Sequence, residues 1–478
     1  MTNEPRAEGI TCGPFIEPSR FVLTVALLSL ASVLTVRAQV SQTPASQTSG
    51  SVTAGAVTPE VRRLTLRDAI EMALRYNLGA IESDEATRIA KGQRVQALSA
   101  LLPQFSFSAT YNRAQVTAAS LGFSSTPILP VPPVIGPFQY STIAASGQTV
   151  FGVELLRRFH AAQTAEQAAQ LSHDDILDLV TLAVGNGYLL IIDAASRIDA
   201  SDAEVRNAQA LYDQAVDALA AGTSPKIDVT RTGVQLHTEQ FNLTVARNNF
   251  AIAKLNLARV IGLPLGQAYE LVDRLPYADL EPQSVDAALQ AAMDARSDYR
   301  AAQRAVDTAQ FQLGATRAQR YPTAAVSADT GWQGVTLASS MNIFSVQAGV
   351  TVPLFTSGRI DSEVTQAQAA LQQRQAERDN LRGQIEYDVR TALLNLQAAK
   401  EQVSVATDNL ALANENLARS QERFAAGVTD SVEVVQAQQS LSSANDQYIS
   451  GTYSHNLAKL QLARALGVAR TSYDQYLH

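Results

Sequence analysis

The sequence has a single cysteine, Cys12, in 478 residues. This cysteine precedes an apolar run over 21–34, which is followed by Val36-Arg37-Ala38, a small-x-small pattern. We interpret 1–38 as a secretory signal peptide, because the run is shorter than the ~20 residues of a membrane-spanning helix. A membrane anchor is the alternative interpretation. Without Cys12 the mature chain has no thiol, which excludes disulfides, thiol catalysis and thiolate metal sites.

The sequence also lacks the residues that a nucleic-acid-binding protein or an enzyme would need. Its formal net charge is −8, so no basic face for nucleic acid is expected. Five histidines are scattered without the spacing of a ligand pair, and we expect no catalytic site, metal or cofactor. His173-Asp174-Asp175 is predicted to be helix-surface charge. Gly185-Asn186-Gly187 lacks the strand and the third glycine of a phosphate-binding loop.

What the sequence does contain is a seven-residue repeat of apolar and small side chains. A period of 3.5 residues keeps such a stripe against a partner only if the helices supercoil, so it predicts two long coiled-coil helices. Small stripe residues let helices approach closely, and we assign this role to Gly187, Ala392, Ala399 and Ala406. The second helix carries the stripe at Ile385, Val389, Ala392, Leu396, Ala399, Val403, Ala406, Leu410, Ala413, Leu417, Ser420 and Phe424. The first helix carries it 205 positions earlier, at Val180, Val184, Gly187, Ile191, Ala194, Ile198, Ser201, Val205, Ala208, Tyr212, Ala215 and Leu219.

The chain is an internal duplication. Residues 253–262 and 458–467 are identical at seven of ten positions, and self-similarity over half a chain indicates one architecture built twice. We predict a flexible leader over 39–63, a first repeat over 64–263, a connector over 264–283, a second repeat over 284–468 and a tail over 469–478.

Each repeat is predicted to contain a helix, a β-hairpin, a long helix and a returning helix. In the first repeat the helices cover 65–102, 159–221 and 226–261, and the strands cover 105–112 and 139–151, with a proline-rich loop over 119–138 between them. In the second repeat the first two helices cover 284–321 and 359–426. After a turn at Gly427, a returning helix ends at Leu466. Its strands cover 324–333 and 344–354.

The strands alternate between apolar and polar residues, as Phe105, Ser106, Phe107 and Ser108 do. This pattern suits lipid on one face and water on the other, and a tilted strand of ~9–11 residues spans a bilayer. A barrel in lipid must close, since open sheet edges are not tolerated there. Four strands cannot close a barrel, so the sequence requires several copies. Three copies would give twelve strands, although the pattern alone does not fix that number.

The chain resembles the TolC family of outer-membrane efflux channels over about 62–468. The most specific matches are Arg423-Phe-Ala-Ala-Gly427 leading into 430–438, and Val352-Pro-Leu-Phe355 followed by Ser357-Gly-Arg359. The resemblance implies a mainly α fold with transmembrane β: a homotrimer with a long α-helical barrel across the periplasm and a shared twelve-stranded β-barrel in the outer membrane of a Gram-negative-type bacterium.

The resemblance also implies a non-enzymatic function. The expected protein is the passive exit duct of a tripartite efflux pump, with a periplasmic adaptor, an inner-membrane transporter and outer-membrane lipid as partners. The outer-membrane component of a type I secretion system remains an alternative. A periplasmic coiled-coil scaffold is an alternative of a different class.

The resemblance places the channel entrance and the adaptor contact at the two helical hairpin tips, Gly222-Thr223-Ser224 and Gly427-Val428-Thr429. It carries over Asp228 and Glu433 as entrance carboxylates, and a ring of such groups favours cations. Alternatively, both acids only stabilise helix N-termini.

The chain departs from the family pattern at three latch and gate positions. Phe424 replaces the family's latch tyrosine, Thr429 its latch arginine, and Gln436 its second gate aspartate. We therefore expect Asp228 to lack the hydroxyl and the cation that would hold it, so that the entrance opens readily.

Overall fold

The computed structural model describes residues 50–122, 132–273, 277–280 and 284–477. The predicted signal peptide and part of the proline-rich loop lie outside the described residues. The helices are α1 (Leu66–Tyr76), α2 (Leu78–Ser99), α3 (Val153–Ala220), α4 (Lys226–Ile261), α5 (Val285–Ala295), α6 (Ser297–Ala318), α7 (Arg359–Ala425), α8 (Ser431–Ala465) and α9 (Ala469–Leu477). The strands are β1 (Arg62–Leu64), β2 (Gln104–Thr117), β3 (Val134–Phe151), β4 (Tyr269–Leu271), β5 (Thr323–Gly334) and β6 (Met341–Thr351).

The order of elements confirms the duplication, with one shared difference from the prediction. The first helix of each repeat is divided in two, at Asn77 and at Arg296, where the backbone is extended. The Asn77 side chain accepts a hydrogen bond from the N–H of Gly79 and so starts a new helix. Thr65 and Asp68 form a capping box at the start of α1, since the Thr65 hydroxyl oxygen accepts from the N–H of Asp68.

The four long strands form one antiparallel sheet in the order β2-β3-β5-β6. Residues directly opposite one another lie on the same face, and Phe107 pairs with Ala145, which in turn pairs with Thr330. The register therefore places the apolar residues of both hairpins on one face, as the alternation predicts. Strand β3 begins at Val134, earlier than expected. The shared face includes Phe105, Phe107 and Tyr111 of β2, Ile143 of β3, Val326 and Trp332 of β5, and Phe344, Val346 and Val350 of β6.

The long helices α3 and α7 contain 68 and 67 residues, so each extends about 100 Å at 1.5 Å per residue. In the part of the helix layer next to the sheet, the helices pack side by side in the order α2, α3, α6 and α7. In the part next to the hairpin tips, the order is α4, α3, α8 and α7. By length and composition α3 could cross a membrane, but half of its most apolar stretch is buried inside the protein.

The heptad stripe of α7 faces the neighbouring helices of the layer, as predicted. Ile385, Val389, Ala399 and Val403 are among its buried positions, and Leu396, Leu410 and Phe424 are half-buried. The stripe of α3 is buried at Val180, Val184 and Ile191 and becomes exposed at Leu219.

Both ends of the described chain pack against the repeats. Residues 50–63 were expected to be a flexible leader, yet the N–H of Val52 donates to Tyr76 O and the N–H of Ala54 donates to Gly262 O. Strand β1 pairs in parallel with β4 of the connector. The predicted tail forms α9, whose Leu477 is buried in the same core cluster as Val184. Contacts with residues far away in the sequence hold these two segments in position. Sequence periodicity does not reveal such contacts.

Candidate channel entrance

The two hairpin tips have the same backbone geometry. Gly222 and Gly427 have φ angles of 74° and 69°, in the left-handed region that glycine adopts without steric cost. The N–H of Thr223 donates to Ala218 O at 2.9 Å, and the N–H of Val428 donates to Arg423 O at 3.0 Å. These bonds form a Schellman motif at each tip, which ends the long helix and turns the chain into the returning helix.

Asp228, the third residue of α4, is only 6% exposed. The Ser224 hydroxyl donates to its Oδ2 at 2.6 Å, and the Ser431 hydroxyl donates to its Oδ1 at 2.7 Å. Arg231 lies 3.3 Å from the same Oδ1 and also donates to the Ser431 hydroxyl oxygen at 3.1 Å. Ser431 begins α8, so this cluster joins the first tip to the second within one chain.

The expectation that Asp228 lacks a hydroxyl and a cation is therefore wrong. Ser431 supplies the hydroxyl and Arg231 the cation, from positions other than those of the family latch. Phe424 instead packs against a tip core that includes Leu211, Leu417 and Val434. A hydrogen bond to a charged group contributes ~1.5–3 kcal/mol to stability. This cluster therefore stabilises the contact between the two hairpin tips.

Glu433 is the counterpart of Asp228 in the second repeat, but its surroundings differ. Its side chain is 38% exposed and lies 3.2 Å from Arg423 Nε. The Thr429 hydroxyl donates to its Oε2. Each acid lies beside an arginine, but the two are not an equivalent pair, since Asp228 is buried and Glu433 is half-exposed.

Both repeats nevertheless place a hydroxyl four residues before the acid. Ser224 donates to Asp228, and Thr429, which lies at the corresponding position of the second repeat, donates to Glu433. The cations differ, because Arg231 follows the first acid whereas Arg423 precedes the second. The duplication therefore keeps the hydroxyl–carboxylate pair and changes the charge that balances it.

The predicted close-packing residues lie between helices. Ala392, Ala399 and Ala406 are buried, and a Cβ added to Gly187 would lie 3.3 Å from Leu257 Cδ1 of α4. A closer helix contact than that of Gly187 was missed, since a Cβ at Gly185 would lie 2.7 Å from Leu460 Cδ1 of α8. The available signal was a glycine inside a long helix, where it costs ~1 kcal/mol relative to alanine.

His173, Asp174 and Asp175 form tertiary contacts, contrary to the prediction of helix-surface charge. His173 Nδ1 lies 2.8 Å from the Ser83 hydroxyl. Asp174 pairs with Arg470 at 3.1 Å, and Asp175 pairs with Arg464 at 2.5 Å. Burial raises the pKa of Asp175, and the Arg464 charge opposes that shift. These contacts join α3 to α2, α8 and α9.

Two lysines that sequence reasoning missed hold the connector. Lys254 of α4 donates to Tyr269 O, and its counterpart Lys459 of α8 donates to Ala278 O at 3.0 Å. Both lie in the decapeptide that the two repeats share, so the repeated lysine was visible in the sequence. Their acceptors are backbone atoms without a sequence signature.

Comparison with known proteins shows similarity to outer-membrane efflux proteins. A family model described as "Outer membrane efflux protein" matches residues 288–468. The chain is 23% identical over 419 residues to the outer membrane efflux protein BepC of Brucella suis, covering 86% of each chain. It is 21% identical over 399 residues to the outer membrane protein TolC of Salmonella enteritidis, covering 81% of this chain and 79% of TolC.

Over most of its length the chain is similar to the TolC family of outer-membrane efflux proteins. Its fold is similar to that of the Campylobacter jejuni outer membrane channel CmeC, with a TM-score of 0.75, 16% identity and coverage of 84% of this chain and 86% of CmeC. The Vibrio cholerae outer membrane protein VceC gives a TM-score of 0.71 at 20% identity, covering 84% and 96%. Taken with the family-model match, these similarities support an outer-membrane channel component with a periplasmic portion.

Proposed function

We propose that three copies of the chain close into one duct, which conducts efflux cargo from a periplasmic adaptor and an inner-membrane transporter to the exterior. The observation that carries this proposal is that, among the described residues, the sheet and the helix layer both end in edges without a partner. The sheet ends at β2 and β6, and strand edges cannot remain open in lipid. Three sheets of four strands give a closed barrel of twelve.

The helix layer beyond the sheet ends at α4 on one side and α7 on the other. Each end helix carries exposed apolar residues at heptad-related spacing, which is the pattern of a coiled-coil contact. Because the two stripes differ, a contact between them is head-to-tail and repeats around a ring. The α4 stripe comprises Ile227, Val234, Phe241, Val245, Ile252 and Leu255, and the α7 stripe comprises Tyr387, Leu394, Val405 and Leu412.

In the proposed duct the tips form the entrance and meet the adaptor. The six residues Gly222 to Ser224 and Gly427 to Thr429 remain the proposed adaptor contacts. Asp228 is buried within its own chain, so we assign it to tying the tips together. Glu433 is the more exposed acid, so we assign the cation preference of the entrance to it, weakened by Arg423.

Cysteine cross-linking tests the closure. In a Cys12→Ser background, Phe241→Cys on α4 is paired in turn with Leu394→Cys, Val405→Cys or Leu412→Cys on α7. At least one pair should give covalent trimers on oxidation in outer membranes. Phe241→Cys paired with Asn414→Cys, on another face of α7, is the matched control and should stay monomeric under denaturing conditions. Equal cross-linking of the control, or monomers from every pair, would reject the α4–α7 contact.

A further inference from the structure

Four helices line a small, partly open space between the hairpin tips and the middle of the helix layer. Its volume is about 10 Å³, roughly that of one water-sized sphere. Both return helices and both long helices contribute to it. The lining residues are Glu204 and Asn207 of α3, Glu239 of α4, Leu417 of α7, and Gln438 and Leu441 of α8.

Among the residues that the structure describes, the hydrogen-bond donors to the two carboxylates at this space are all neutral side chains. Glu239 is 6% exposed and accepts from the side-chain amides of Gln235 at 2.5 Å and Asn242 at 3.1 Å. Glu204 is half-buried and accepts from Asn445 at 3.5 Å. Among the described residues neither acid has an ion-pair partner within 4.0 Å. Buried like charges without a cation are unfavourable, and burial followed by the Glu239 charge raises the pKa of Glu204.

Gln438 provides an independent indication of a ligand. Its side chain lines the same space and is 8% exposed. Within the part of the chain that the structure describes, neither its amide oxygen nor its amide nitrogen has a hydrogen-bond partner. Buried amides normally have partners, so an oxygen ligand is available where the two carboxylates meet.

We propose that Glu204, Glu239 and Gln438 bind a divalent cation that prefers oxygen ligands, of the Ca²⁺ class. Two carboxylates balance a double positive charge, and carboxylate and amide oxygens are ordinary Ca²⁺ ligands. Mg²⁺ demands near-ideal octahedral geometry at about 2.0–2.1 Å and gives up its waters reluctantly, whereas Ca²⁺ accepts a longer-range, irregular set of oxygen ligands completed by water. The bound ion would link α3, α4 and α8 above the tips. This role goes beyond conduction of cargo and does not depend on it.

Calcium titration of the purified, EDTA-treated full-length protein tests the proposal. We expect about one Ca²⁺ per chain by equilibrium dialysis with metal analysis, and a higher unfolding temperature with Ca²⁺ than in EDTA. These measurements use an Asp228→Asn, Glu433→Gln background, so that tip carboxylates do not contribute. Mg²⁺ at the same concentration should give a smaller stabilisation.

Substitutions at the site should separate a cation from a shared proton or a water. Glu204→Gln with Glu239→Gln should weaken Ca²⁺ binding at least 10-fold and raise the unfolding temperature in EDTA, because it removes the charge repulsion. Gln438→Leu, which removes one oxygen ligand and keeps both carboxylates, should also weaken Ca²⁺ binding. Glu401→Gln, on the exposed face of α7, is the control and should change neither. Absence of Ca²⁺ binding by the folded background protein, or equal binding by the double variant, would overturn the proposal in favour of a proton or water.

Discussion

The Ser431 hydroxyl at the start of α8 donates a 2.7 Å hydrogen bond to Asp228 near the start of α4. This bond joins residues that are 203 positions apart and links the two hairpin tips of one chain. Arg231 contacts both partners, so the hydroxyl, the carboxylate and the guanidinium form one cluster. Movement of either tip away from the other must break it.

Removal of the Ser431 hydroxyl should loosen the tips. Ser431→Ala leaves Asp228 buried with one fewer donor, and loss of a hydrogen bond to a charged group costs ~1.5–3 kcal/mol. We expect a longer open time in planar-bilayer recordings, and faster proteolysis at the tips. Ser440→Ala, which removes an exposed hydroxyl bonded only to its own helix, is the control. Identical open times for wild type and Ser431→Ala would argue against the tie.

The lipid-facing assignment of the sheet predicts different tolerance at two neighbouring positions of β6. Lysine at Val350, on the apolar face, should cost ~2–4 kcal/mol near the bilayer midplane and reduce the amount of oligomer in outer membranes. Lysine at Gln347, on the opposite face, should be tolerated. The measurement is the yield of heat-modifiable oligomer from outer-membrane extracts. Equal yields for the two variants would contradict the assignment.

The heptad stripe of α7 predicts a similar contrast in the helical part. Ala399 is buried, so Ala399→Leu should overpack the contact by ~1–3 kcal/mol and lower the unfolding temperature. Glu401 is exposed, and Glu401→Leu should change little. Thermal unfolding followed by far-ultraviolet circular dichroism compares the two. A larger effect at Glu401 than at Ala399 would place the stripe on the wrong face.

His455 should make stability depend on pH. Burial, and next the charge of Lys459, lower the pKa of His455. A base with a lowered folded pKa binds its proton less readily when folded, so the free energy of unfolding decreases as pH falls below about 6.5 and levels off below the folded pKa. The loss is ~1.4 kcal/mol for each unit of pKa shift.

His455→Phe keeps a ring against Tyr277, which lies 4.7 Å away in the wild type, and should remove this part of the pH dependence. Unfolding temperatures at pH 7.5 and pH 5.5 provide the comparison, with exposed His237→Phe as the control. If His455→Phe loses as much stability between the two pH values as the wild type does, the slope arises elsewhere.

Local patterns predicted most of the elements, because periodicity is a property of neighbouring residues. The stripe around Val389 and Ala399 and the alternation through Val346 and Val350 both required only a repeating spacing. The breaks at Asn77 and Arg296 were missed, since each depends on one residue with an extended backbone inside a helical pattern.

The candidate site was predicted only in part, for a different reason. The resemblance gave the positions of Asp228 and Glu433, and the turn glycines were recognisable. The partners of Asp228 were not predictable, because Ser431 and Arg231 occupy other positions than the family latch. A substitution at one latch position can be compensated from another element, and such compensation is visible only when the two tips are placed together.

Planar-bilayer recording of the purified wild-type oligomer tests the central claim, that copies of this chain alone form the conducting duct. We predict discrete conductance steps of one size with a preference for cations, which Glu433→Gln should shift toward anions while Asp228→Asn changes mainly the open time. A folded oligomer that inserts into the bilayer and gives no conductance steps would contradict the account.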